Sequence, residues 1–264
     1  MAPATIDVQR EHTNCRVDGP ADAPVLVLSN SLGTDLAMWD AQMPALTARF
    51  RVVRYDTRGH GQSSAPAGPY TLAALGRDVL VLLDALKIRR AHFCGLSMGG
   101  AIGMWLAANA GERIDRLVLA NTAAKFGTRE AWSVRIDAVR KGGVDAIADA
   151  VLERWFTPGF RARAPDTAAR MRAMMAAIPT EGYIGCCAAL RDIDLRESLG
   201  TIRCPTLVIV GTHDVATPPP AGRELAEKIR GARCVELDAG HISNVEAPEP
   251  FTAELAGFLA AEAP

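Results

Sequence analysis

Apolar positions along this chain follow two rhythms. Short continuous runs recur at Pro24–Ser29 (PVLVLS), Arg51–Tyr55 (RVVRY), Ala91–Cys94 (AHFC), Arg116–Ala120 (RLVLA) and Pro205–Val210 (PTLVIV). Runs this short with no polar face predict strands covered on both sides, as in a parallel sheet. Between them the apolar residues fall at helical spacing. One stripe occupies positions 72, 75, 79, 82, 83 and 86, with Thr71 placed as its N-cap. A second holds Met98, Ile102, Trp105 and Leu106, and a last one Phe251, Leu255, Phe258 and Leu259. A helix near 221–230 and a strand at 233–237 complete the later part. Residues 1–18 alternate loosely and end at the Gly19-Pro20 turn signal, which predicts an early antiparallel hairpin.

The rhythm breaks between 123 and 200, where no buried strand is visible. Helical stretches are predicted instead around 132–139, 144–155, 171–178 and 183–190. The expected fold is therefore α/β: a mostly parallel central sheet with helices on both faces and an inserted all-helical cap. The expected boundaries are 1–122 and 201–264 for the two parts of the core and 123–200 for the insert. Active sites of such sheets lie beyond the carboxyl ends of the strands. An insert leaving those loops would cover the site.

Composition narrows the choice of function. The 264 residues fit one large α/β domain with an insert, and 49% are apolar with few aromatics, which suits an aliphatic core. The net charge is −1 and no basic cluster stands out, so nucleic acid is not an expected partner. No apolar run approaches the ~20 residues of a membrane span, and the amino-terminal stretch lacks the pattern of a secretion signal. The six cysteines (15, 94, 186, 187, 204 and 234) are scattered without a C-x-x-C pair. They read as reduced, small core residues of a cytoplasmic protein, with Cys94, Cys204 and Cys234 in or beside buried strands. No metal-ligand spacing is present.

One stretch carries chemistry. Gly95-Leu-Ser-Met-Gly-Gly100 is G-x-S-x-G between an apolar strand and a helical stripe, which is the setting of a nucleophile elbow. An elbow serine needs a base, and the base needs an acid to orient it. In this fold they follow in the order Ser, Asp or Glu, His. Asp214 follows the strand ending at Val210, and His241 follows the strand ending at Leu237. Ser97 is therefore the expected nucleophile, His241 the base and Asp214 the orienting acid. Rival assignments are Asp214 as a helix N-cap, Asp238 as the acid and His60 as the base. The oxyanion formed on the attacked carbonyl needs preorganised donors. The Met98 N–H at the start of the new helix and the Leu32 N–H in the loop after residues 25–29 are the expected pair.

These residues also carry a resemblance across essentially the whole chain. The elbow and the Asp56–Gly61 loop (DTRGHG) are shared widely among α/β-hydrolases. More specific are Ser29–Thr34 (SNSLGT), Asn121–Gly127 (NTAAKFG) followed by Trp132 and Arg135, and Ala239–Glu246 (AGHISNVE). In these the chain resembles the 3-oxoadipate enol-lactonase family. The resemblance implies a cofactor-free serine hydrolase acting on a small lactone with a free carboxylate, in bacterial breakdown of aromatic compounds. Lys125 and Arg135 are then candidate carboxylate partners, and Trp132 a candidate pocket wall. The readings beside it are a general carboxylesterase or perhydrolase and, from another class, a binding protein on a hydrolase fold.

Overall fold

The computed structural model describes residues 4–8 and 11–261. Its strands are β1 (Ala4–Val8), β2 (Glu11–Asp18), β3 (Val25–Ser29), β4 (Arg51–Tyr55), β5 (Ala91–Leu96), β6 (Ile114–Ala120), β7 (Thr206–Gly211) and β8 (Arg233–Leu237). They form one sheet in the order β1-β2-β4-β3-β5-β6-β7-β8. β1 pairs antiparallel with β2, and β2 with β4. Every later pairing is parallel. β5 and β7 are buried along their whole length, which is why they read as unbroken apolar runs. From β3 the chain passes to β4 on one side and then to β5 on the other. A crevice opens beyond the carboxyl ends of β3 and β5 at this reversal.

The helices of the core are α1 (Met43–Leu46), α2 (Leu72–Ala85) and α3 (Met98–Asn109) before the insert. The Thr71 hydroxyl accepts from the Ala74 N–H at 3.1 Å and caps α2, whose Leu72, Leu75, Val79, Leu82 and Leu83 are buried. Fully burying each such side chain stabilises the fold by about 1.5–3 kcal/mol. α3 is sandwiched between the sheet and α2, and Met98 through Met104 are all buried.

Between β6 and β7 stand α4 (Arg129–Gly142), α5 (Asp145–Trp155), α6 (Pro158–Arg163), α7 (Pro165–Ala176) and α8 (Thr180–Asp192). They pack on one another, α4 against α8 and α5, and α7 against α5 and α6. α6 has no counterpart in the sequence pattern. It is six residues long and buries only Phe160, too little for a stripe, and the Thr157 cap before Pro158 is its one local signal. After β7 come α9 (Pro219–Lys228), α10 (Ser243–Glu246) and α11 (Pro248–Ala260). No single helix among the described residues is long and apolar enough to cross a membrane.

The cysteine expectation needs a correction. Cys15, Cys94, Cys186 and Cys187 are buried free thiols, but Cys204 is half-buried and Cys234 exposed. β8 is the edge of the sheet and only its Leu237 is buried, so Cys234 is left in solvent.

Candidate active site

The elbow is built by close approach of backbone. Ser97 sits at φ 57° and ψ −114°, a conformation that costs an L residue on the order of 1–3 kcal/mol. Its surroundings hold it there. The Ser97 N–H donates to Ala120 O at 2.9 Å, and Ser97 O accepts from the Thr122 hydroxyl at 2.7 Å. The flanking glycines leave room for this. A Cβ at Gly95 would stand 2.1 Å from Gly99 O, and one at Gly99 would stand 2.2 Å from Ser29 O.

Two loops at the same sheet edge bring the partners. His241 Nε2 lies 2.9 Å from Ser97 Oγ, and His241 Nδ1 lies 2.8 Å from Asp214 Oδ2. All three residues are buried. Asp214 also accepts from the N–H groups of Ala216 and Thr217 at 2.8 and 2.9 Å, from Thr217 Oγ1 at 2.7 Å and from Asn121 Nδ2 at 3.1 Å. The rival N-cap reading does not hold: α9 is capped at Pro218 without a side-chain bond, and Asp214 Oδ1 instead closes the turn after β7 while Oδ2 faces the imidazole. Burial pushes the Asp214 carboxyl upward, but His241 and the bonds from Thr217 outweigh it and hold the pKa below the ordinary aspartate value.

The rival base and acid are otherwise engaged. Asp238 is exposed and lies 2.8 Å from His213 Nε2. His60 is buried, with Nε2 accepting the Gly33 N–H at 2.9 Å. Burial lowers its pKa to about 4.

The loop after β3 has one unused donor. The Ser31, Gly33 and Thr34 N–H groups bond to Met38 Sδ, His60 Nε2 and Ser31 O respectively. The Leu32 N–H has no partner among the described residues, and Leu32 lines the cavity above Ser97. Met98 is the first residue of α3, so its N–H has no acceptor within the helix. Gly99 N–H donates to Asn30 O at 3.0 Å and stitches the elbow to the same loop.

The loop that carries His241 is tied to the inserted helices. The Glu246 carboxylate accepts from the Gly240 N–H at 3.0 Å and the Thr157 N–H at 3.2 Å, and from the Thr157 hydroxyl. Ile242 N–H donates to Trp155 O at 3.1 Å.

Above Ser97 and His241 lies a cavity of about 150 Å³. Trp132, Arg135, Arg154, Trp155 and Tyr183 close it from the insert side. The Arg135 guanidinium sits 5.1 Å from the centre of the Trp132 ring, whose indole N–H donates to Phe126 O at 2.6 Å. Lys125 is not part of this lining. Its side chain is half exposed and its ammonium lies 3.3 Å from the Asp194 carboxylate, away from the cavity that Arg135 lines.

The geometry has close parallels. The family profile described as the alpha/beta hydrolase fold matches residues 24–248. The chain is 45% identical over 247 residues to 3-oxoadipate enol-lactonase 2 of Acinetobacter baylyi, covering 94% of this chain and 92% of that protein. The chain belongs to the enol-lactonase family of α/β-hydrolases. The crystal structure of the enol-lactonase from Burkholderia xenovorans superposes with a TM-score of 0.96 at 51% identity, covering 98% of this chain and all of that one. A thermophilic esterase from Thermogutta terrifontis, solved with malate bound, superposes at 0.91 with 28% identity and 98% coverage of both chains.

For an enol-lactonase relative, the cavity holds two groups that the sequence pattern did not reveal. Arg154 lies on α5, forms no salt bridge with a described residue, and has Val215 O at 3.4 Å as its hydrogen-bond acceptor. Burial and the neighbouring Arg135 charge both lower its pKa. Tyr183 of α8 is buried beside Arg135; burial raises its pKa, and the guanidinium offsets part of that rise. Two guanidiniums within each other's field, neither ion-paired to a described residue, bring positive charge to the cavity lining. The one available signal for Arg154 was its place just before Trp155, at the end of the predicted 144–155 helix. Among the described residues no three His, Cys, Asp or Glu side chains are grouped as a metal site.

Proposed function

We propose that this chain is a serine hydrolase that opens the enol lactone of 3-oxoadipate through an acyl-enzyme on Ser97. The observation that carries the reading is the sharing of one cavity by the Ser97–His241 contact and two guanidiniums without a carboxylate partner among the described residues. The close relatives named as enol-lactonases support the choice of substrate.

In this reading Ser97 Oγ attacks the lactone carbonyl as His241 Nε2 takes its proton. Asp214 fixes the imidazole tautomer and stabilises the imidazolium. The Leu32 and Met98 N–H groups receive the oxyanion, helped by the amino-terminal end of α3. Collapse breaks the ring C–O bond, and the enol oxygen takes the proton from His241. The enol, still part of the acyl chain on Ser97, ketonises, which makes ring opening hard to reverse. Water then attacks the acyl carbon, its proton passing to His241 and on to Ser97 Oγ as 3-oxoadipate leaves. The substrate's free carboxylate is held by Arg135 and Arg154, with Trp132 as wall, since a guanidinium fork matches carboxylate geometry. Residues 123–200 act as a cap on a core of 1–122 and 201–264, and the cap supplies the specificity.

The test is turnover of the enol lactone beside a neutral aryl ester. The wild-type protein turns over the lactone, and Ser97→Ala lowers kcat at least about 10³-fold while the fold is kept. Arg135→Ala and Arg154→Ala raise KM for the lactone more than for the ester. Rapid ester cleavage with no lactone turnover would replace this reading by a general esterase. Equal effects of the arginine variants on both substrates would remove the carboxylate clamp.

A further inference from the structure

His60 is a buried imidazole that the hydrolytic steps leave unused. It lies in the glycine-rich loop after β4, and its Nε2 accepts the Gly33 N–H at 2.9 Å. An acceptor nitrogen carries no proton, so in the neutral ring the proton belongs to Nδ1. Nδ1 lies 3.3 Å from Arg58 O, an acceptor that takes this proton and fixes the tautomer. Cys186 of α8 closes the other side, with Sγ 3.9 Å from Nδ1. The imidazole therefore bridges three segments: its own loop, the loop after β3 and a helix of the insert. The segment it grips is the one whose neighbouring Leu32 N–H is left free.

We propose that His60 is the positioning residue of the oxyanion hole: its unprotonated Nε2 holds the Gly33 N–H and so aims the adjacent Leu32 N–H at the carbonyl attacked by Ser97. The inference rests on Leu32 being an oxyanion donor, not on the identity of the lactone. Gly33 N–H is spent on the imidazole, which leaves Leu32 as the donor of that loop. A loop freed from this anchor would still bind substrate but would meet the oxyanion with a misplaced dipole. The loss then falls on the transition state and not on the ground state.

The test uses His60→Leu, which removes the acceptor, and His60→Gln, whose amide oxygen restores one at the reach of Nε2. Both are assayed on 4-nitrophenyl acetate, so that the outcome does not depend on the lactone reading, and on a trifluoromethyl ketone that forms a tetrahedral adduct with Ser97. His60→Leu lowers kcat about 10- to 100-fold with KM within about twofold. It weakens the ketone by a similar factor and leaves unchanged the affinity for the matching secondary alcohol, which forms no adduct. His60→Gln returns kcat to within a few-fold of wild type. A folded His60→Leu protein with unchanged kcat, equal losses for ketone and alcohol, or a folded His60→Gln protein no better than His60→Leu would each overturn the proposal. Should His60→Leu fail to fold, nitrogen NMR of the wild-type imidazole still decides: a proton on Nδ1 supports the bridge, and a proton on Nε2 refutes it. Ester turnover without lactone turnover would instead count against the substrate reading alone.

Discussion

Acid should weaken this protein through His60. In the unfolded chain the imidazole titrates near 6.5, whereas burial in the fold lowers it to about 4. Between those values the unfolded state binds a proton that the folded state excludes. Stability from this group is fully present above about pH 6.5 and is lost as pH falls toward about 4. A pKa change from 6.5 to about 4 corresponds to about 3 kcal/mol in total, at about 1.36 kcal/mol per pH unit. About 2 kcal/mol of that is already gone at about pH 5, by the same relation. The comparison is urea unfolding of wild type and His60→Gln at pH 7.5 and at pH 5, in the same buffer ions. Glutamine does not titrate, so the variant should lose about 2 kcal/mol less on acidification, whatever its stability at neutral pH. His92 is also buried, and burial lowers its pKa too, but it is present in both proteins and cancels. Losses that agree within about 0.5 kcal/mol would mean that His60 takes up its proton in the folded protein, and the linkage reasoning would fail.

Three further outcomes follow from the site. Asp214→Asn should lower kcat about 10⁴-fold, because the amide disturbs the imidazole tautomer; a loss under tenfold in ester assays would contradict the role given to the carboxylate. Thr217→Val removes a hydroxyl that donates to Asp214 at 2.7 Å, and should cost about 1 kcal/mol in urea unfolding while lowering kcat by less than Asp214→Asn does. Gly99→Ala sets a Cβ against the Ser29 carbonyl with 2.2 Å between them, so soluble yield should collapse or stability fall by about 3 kcal/mol or more; a variant as stable as wild type would refute the close packing.

The sheet was legible because its inner strands are covered on both faces and cannot afford polar breaks. The placing of Cys234 beside a buried strand failed because β8, with Arg233 and Glu236 in it, lies on an edge and leaves that cysteine in solvent. Among the helices, those with a long one-sided stripe were visible, while α6 was too short to show a period. That Ser97, Asp214 and His241 would meet was legible because each follows a strand that ends at the same side of the sheet. The cavity wall gave no such handle. Arg135 and Lys125 look alike in sequence, yet one turns over Trp132 into the cavity and the other turns outward to Asp194. Arg154 was invisible because the direction of a helical side chain in an insert is set by how that insert docks, not by its own pattern.

The Glu246 carboxylate has a consequence for how this protein can be rebuilt. It grips Gly240, next to the base, and Thr157, in the connection between α5 and α6. The inserted helices and the segment that carries His241 are therefore held in register by one side chain. For protein engineering this sets a cut point. An insert transplanted from another hydrolase to change substrate range should travel with the 240–246 turn, or with a threonine at the position of Thr157, since otherwise the graft would inherit a stranded carboxylate beneath the base.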